Sequence, residues 1–161
     1  MLYENRIVAF IDILGFSNII KETAGQFGSP KNENSGISVK ELFKAFYRIR
    51  YLMGVSEPSD DVPLSRKVSQ FSDSIFISFK PEDEPREFNY LLGELLYLLV
   101  QHSKHQILIR GGISYGPLVH TDEIIFGPAL IQAYQLESRA SKSPRILLPP
   151  SELKGIRSSI I

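Results

Sequence analysis

Apolar positions along the 161-residue chain fall into runs of two kinds, continuous and helically spaced. Residues 7–14 are continuous and rich in β-branched side chains, the pattern of a strand covered on both faces. Residues 15–23 read as a short helix, with Ser17 at its N-cap and Phe16, Ile19 and Ile20 toward the core. Gly, Ser, Asn, Pro and Lys then collect over 25–38, where a mobile loop is expected. From Val39 the positions Leu42, Phe43, Phe46, Ile49 and Leu52 recur at helical spacing, predicting a helix to about Gly54 with a loop over 56–63. Residues 67–79 alternate, with Phe71, Ile75, Ile77 and Phe79 on one parity. The alternation breaks at Ser72 and Asp73, so two strands are expected, joined by a tight turn with Asp73 at its tip.

Pro85 opens a long apolar helix to about His102, on the stripe Phe88, Leu91, Leu92, Leu95, Leu96 and Leu99. Strands over 107–115 and 118–126 follow, then a helix over 127–140, a strand over 145–148 and a final partial helix. The order β, α, α, β, β, α, β, β, α, β predicts an α+β sheet with helices stacked on it.

Composition narrows the classes. At 161 residues and 43% hydrophobic, the chain fits one domain, 1–161, with a real core. Lys plus Arg equals Asp plus Glu at 18 each, so no global charge draws it to nucleic acid or a membrane surface, and any polyanion site is local. The absence of cysteine removes disulfides, thiolate catalysis and cysteine zinc sites, and fits a reducing cytoplasm. Glu4 and Arg6 interrupt any signal-peptide apolar region, and no run approaches the roughly 20 apolar residues of a membrane span.

Candidate chemistry centres on Asp12 and Asp73, each beside an apolar strand. An ionised carboxylate there is costly unless a cation compensates it, and two such sites on neighbouring strands suggest a divalent ion with a phosphate ligand. Each alone reads more readily as a turn former than as a metal ligand, and the two together reverse that balance. Arg110 suits a pair with Glu137, a place in a dimer interface or a substrate contact. His102, His105 and His120 lack ligand spacing and are expected at the surface. There is no Gly-rich phosphate loop with a following lysine, and no nucleophile elbow.

Four segments, in order, carry a family resemblance over residues 7–140. AFIDILGFS resembles the first strand of the class III nucleotide cyclases, FSDSIFISF their second metal hairpin with Ser72 in place of glycine, and LIRGGISYGPLV their Arg-x-Gly-Ile-x-x-Gly strand. FGPALIQAYQLESRA is similar to their interface helix. The flavour is most similar to the bacterial pyrimidine (uridylate or cytidylate) cyclases of anti-phage signalling. The resemblance implies a ferredoxin-like, palm-related fold with a mainly antiparallel sheet. It also implies a homodimer with composite active sites, and a nucleoside triphosphate converted to a 3′,5′-cyclic mononucleotide and pyrophosphate.

Two Mg2+ or Mn2+ ions per site are implied, held by Asp12, Asp73 and the Ile13 carbonyl, with Gly15, Phe16 and Ser17 amides on the phosphates and Arg110 on the substrate. The family's asparagine and arginine on the interface helix fall here on Ile131 and Gln135, with Arg139 one turn on and Gln132 as stand-ins. The purine enzymes' lysine falls on Ser69, against adenine recognition by that route. The chain ends soon after the last strand, where the family continues, as in a shortened form. A catalytically inactive cyclase-fold sensor and a palm-type nucleotidyl transferase stay open as alternatives.

Overall fold

The computed structural model describes residues 3–23, 39–52, 65–83, 86–140 and 142–160. The continuous apolar run forms β1 (Glu4–Ile13), in which Ile7 to Ile11 are buried on both faces. Helices α1 (Phe16–Thr23) and α2 (Val39–Leu52) follow, then the hairpin of β2 (Lys67–Phe71) and β3 (Ser74–Phe79) and helix α3 (Glu87–Ser103). Next come the long β4 (Ile109–His120), the short β5 (Ile125–Phe126) and helix α4 (Pro128–Gln135), which runs into one π-helical turn, Leu136–Ala140. Strand β6 (Ile146–Leu147) and helix α5 (Pro150–Ile160) complete the described elements.

The strands lie in the order β2-β3-β1-β4-β5, antiparallel throughout, and β6 joins β4 in parallel at Gly111 and Gly112. This is the mainly antiparallel α+β sheet that the sequence predicts. Alternation along β1 divides its side chains between two layers. Ile7, Ala9 and Ile11 join Ile75, Ile77, Phe79, Ile109 and Ile113, and meet Leu91, Leu95 and Leu98 of α3, Ile49 of α2 and Ile156 of α5. Val8 and Phe10 face the other way, against Ala129 and Ala133 of α4. Asp12 shares their parity and so belongs to the α4 face. Close seating of α4 depends on Gly112, where a Cβ would come 2.4 Å from the Ala133 carbonyl oxygen and 2.6 Å from Leu136 Cβ.

Several expectations are corrected. The two strands expected over 107–115 and 118–126 are one strand and a hairpin. Pro117 does not stop β4, because away from β1 that strand has partners among the described residues only at Gly111–Gly112 and Val119–His120, leaving no ladder there for proline to break. The turn comes instead at Thr121, whose Oγ1 accepts from the amides of Glu123 and Ile124. Phe71 is 79% exposed, since the two-residue turn pairs it with Ser74 and puts it on the opposite face from Ile75 and Ile77. In α1, Ile20 is exposed. In α2, Phe43 is exposed, and the buried stripe is Leu42, Ala45 and Ile49. In α3 the buried stripe is Phe88, Leu91, Leu95, Leu98 and His102, with Leu92 and Leu96 outside it.

His102 and His120 are buried rather than at the surface, while His105 is exposed. His102 ties α3 to α2, with Nδ1 2.9 Å from the Leu98 carbonyl and Nε2 3.3 Å from that of Ala45. The loops expected over 25–38 and 56–63, the helix end at Gly54 and the helix start at Pro85 lie outside the described residues.

Candidate active site

Asp12 sits near the end of β1, half-buried, directly across the ladder from Arg110 of β4. On its other flank is the β2–β3 hairpin, where Ser72 and Asp73 link the Phe71–Ser74 pair. A two-residue hairpin needs positive φ, which glycine usually supplies; Ser72 takes φ +54° here, and Gln70 Nε2 donates to its carbonyl at 3.1 Å. Ser74 Oγ donates to Asp12 Oδ1 at 3.1 Å. Asp73 is thereby brought against Asp12: burial and then the Asp12 carboxylate push its pKa up to about 6. The two aspartates, 61 positions apart in sequence, therefore converge on one spot at one end of the sheet.

One guanidinium compensates part of this charge. Arg110 Nη2 lies 3.3 Å from Asp12 Oδ2, and Arg110 Nε is paired with the Glu137 carboxylate. Glu137 belongs to the π-helical turn and is buried; burial raises its pKa while Arg110 opposes the rise. The reading of Arg110 as the partner of Glu137 is the one the structure realises, and Arg110 also holds Asp12. With all three carboxylates ionised, the cluster carries two uncompensated negative charges.

Asp12 and Asp73 fit a divalent cation in donor chemistry, since a hard dication favours carboxylate oxygen and would relieve the repulsion that lifts the Asp73 pKa. Among the described residues no group of three or more His, Cys, Asp or Glu side chains is arranged to hold a metal, so the carboxylate donors number two.

Helix α1 starts earlier than expected. Gly15 adopts φ +75° and turns the chain straight out of β1, and its carbonyl accepts from Asn18 N and Ile19 N at 2.9 and 3.1 Å. Gly15, not Ser17, is the cap, and Ser17 is exposed within the first turn. The amides of Gly15, Phe16 and Ser17 are left without an intrahelical acceptor just beyond Asp12. Phe16 is half-buried against Phe46 of α2, edge to face, with ring centroids 5.9 Å apart.

Gln135 and Arg139 are not brought onto the aspartate pair of their own chain. Both are exposed, as is Ile131, and neither has an ion pair or hydrogen bond to Asp12 or Asp73. Gln132 is no substitute, because its amide donates to Glu152 of α5. Sequence reasoning missed a second polar group on the α4 face, made by Arg6, Ser69, Ser78 and His120. Strand parity held the signal, since Arg6, Ser78 and Ser69 share the parity of Asp12 through the ladders Val8↔Ser78 and Ser69↔Phe76↔Phe10.

The arrangement of strands and helices has known counterparts. The chain superposes on two structures of bacterial light-regulated adenylyl cyclases, at TM-scores of 0.63 and 0.62 and 17% sequence identity in each case. The fold is shared with adenylyl cyclases. The match covers 96% and 97% of this chain but 45% and 79% of theirs, so this chain spans under half the length of the first. No protein-family model and no curated protein matches the sequence. Among the described residues no helix is long and apolar enough to cross a membrane.

Proposed function

We propose that the chain is a metal-dependent nucleotide cyclase that converts a nucleoside triphosphate, UTP or CTP, to its 3′,5′-cyclic monophosphate and pyrophosphate. The observation that carries this reading is the meeting of Asp12 and Asp73 at the end of adjacent strands in a cyclase-type sheet. Their carboxylates, with the Ile13 carbonyl, would hold Mg2+ or Mn2+. When bound, such ions acidify the ribose 3′-hydroxyl for attack on the α-phosphate and neutralise the departing pyrophosphate.

The chain's own groups do the positioning. Ser74 and Arg110 fix Asp12 from two sides, so its carboxylate meets the substrate without reorganising. The amides at Gly15, Phe16 and Ser17 donate to phosphate oxygens at the start of α1. Gln135 and Arg139, exposed and turned from their own aspartates, are available to the site of a second copy, so each active site is composite in a homodimer. A second messenger made this way would serve bacterial anti-phage signalling.

The deciding experiment incubates the purified full chain with each of the four nucleoside triphosphates and Mn2+ and identifies products by mass. A cyclic pyrimidine monophosphate is expected. Linked dinucleotides would point to a nucleotidyl transferase, and nucleotide binding without product to an inactive sensor, a reading favoured by Ile131 and Gln135 standing where the family has asparagine and arginine.

A further inference from the structure

Helix α2 turns Leu42, Ala45 and Ile49 to the core and leaves large rings on its opposite face. Phe43, Tyr47 and Tyr51 are 69%, 59% and 64% exposed. Aromatic rings give up the most on staying in water, so three in one row mark a surface that something covers.

Spacing narrows what that is. The rings recur every four residues, which sets them about 6 Å apart along the helix. Lys40, Lys44 and Arg48 recur with the same period, each three residues before a ring and so beside it on the helix surface. Lys40 and Lys44 are exposed and Arg48 is half-buried; Phe43, Lys44, Tyr47, Arg48 and Tyr51 line one open groove. The face therefore carries two parallel rows, one aromatic and one cationic, with a common repeat. Arg50 stands outside them, donating to Gln70 of β2 at 3.1 Å. Glu41, the one carboxylate of the helix, lies beyond the cation row in a small cleft with His102 and His105. Four cations against one carboxylate make α2 locally basic, in a chain whose total charge is zero.

We propose that this face of α2 binds single-stranded nucleic acid, with bases stacked on Phe43, Tyr47 and Tyr51 and phosphates on Lys40, Lys44 and Arg48. A single strand presents one phosphate and one base per repeat, and its flexible backbone adapts to the step between the rings. In a duplex the base faces are already stacked on one another, so the aromatic row is of no use to it. A lipid surface is served by rings and cations in any register, whereas only a chain with its own repeat rewards pairing them one to one. Stacking is open to every base, so binding is without sequence preference, and three rings take about three nucleotides. Through Ile49 the helix packs on the sheet face opposite α4 and the parity of Asp12. The proposal is thus independent of the reaction performed at the Asp12–Asp73 site.

Fluorescence anisotropy with a labelled twelve-nucleotide oligothymidylate tests it, in EDTA so that no cation occupies the aspartate pair. Saturable binding is expected, with the logarithm of affinity falling against that of salt at a slope of about −2, from three phosphate contacts at about −0.7 each. Tyr47→Ala combined with Tyr51→Ala should weaken binding at least tenfold and leave the slope unchanged. Lys44→Gln combined with Arg48→Gln should weaken it and flatten the slope to about −0.7. The two variants thus fail in different ways, which a loss of folding would not produce. Absence of binding, equal affinity for a duplex of the same length, or natural affinity in the double-tyrosine variant overturns the proposal. Two further measurements cover the other occupants: sedimentation with vesicles containing one-third phosphatidylserine, and light scattering of the protein alone. Vesicle binding without oligonucleotide binding overturns the proposal in favour of a lipid surface. A smaller particle mass in the double-tyrosine variant, again without oligonucleotide binding, overturns it in favour of a second copy of the chain.

Discussion

Asp73 is placed where its charge is disfavoured, and that fixes the sign of what its removal does. Its pKa is raised from 3.8 to about 6, so the folded protein binds more protons than the unfolded chain between those values and loses stability as pH rises through them. Asp73→Asn should therefore abolish cyclisation yet stabilise the metal-free protein at pH 7.5 by roughly 1 kcal/mol, after discounting for solvent screening. Urea unfolding in EDTA checks the second half; a destabilised variant would mean the carboxylates do not repel.

His120 runs the opposite way. As a base whose pKa falls from 6.5 to about 4, it leaves the unfolded chain binding the extra proton, so its contribution is complete above pH 6.5 and is lost as pH drops toward 4. The loss amounts to roughly 2–3 kcal/mol, from about 2.5 pKa units at about 1.4 kcal/mol each less a discount for solvent screening. Because Asp73 titrates oppositely in the same range, the difference between natural protein and His120→Gln isolates it: the gap in urea midpoints should narrow from pH 7.5 to pH 4.5.

Among the elements, α4 depends most on one sequence position. A methyl at Gly112 would collide with the Ala133 carbonyl and Leu136 Cβ, and backbone cannot swing aside as a side-chain tip can. Gly112→Ala should cost about 1–3 kcal/mol. Since the π-helical turn following α4 carries Glu137, which pairs with Arg110 beside Asp12, activity should fall by more than the stability loss explains. Thermal unfolding alongside turnover of the residual folded protein checks this, and an active, merely less stable variant would separate the helix seat from the site.

For the whole molecule, the proposed homodimer divides labour between copies, with exposed Gln135 and Arg139 of one serving the half-buried aspartate pair of the other. Asp73→Ala and Arg139→Ala proteins should each be inactive, and an equal mixture should recover about a quarter of natural activity, because half the dimers are mixed and each of those holds one intact site. No recovery after exchange of subunits, confirmed by mixed-tag capture, would place the whole site within one chain.

The sequence by itself determined the sheet's central strand, the acidic hairpin and the two aspartates, because continuous β-branched runs and turn residues act over a few neighbouring positions. It also held the choice between partners for Arg110 without resolving it. Tertiary structure alone decided that Pro117 lies within a strand, that Phe71 faces away from its apparent parity, and that His102 and His120 are buried. Those outcomes turn on which strand edges are uncovered and how a turn sets register, and on the carbonyls or hydroxyls each histidine meets from other elements. The Asp12–Asp73 encounter belongs to both levels: local pattern puts each carboxylate at a strand end, and only antiparallel pairing of β1 with β3 brings the two ends together.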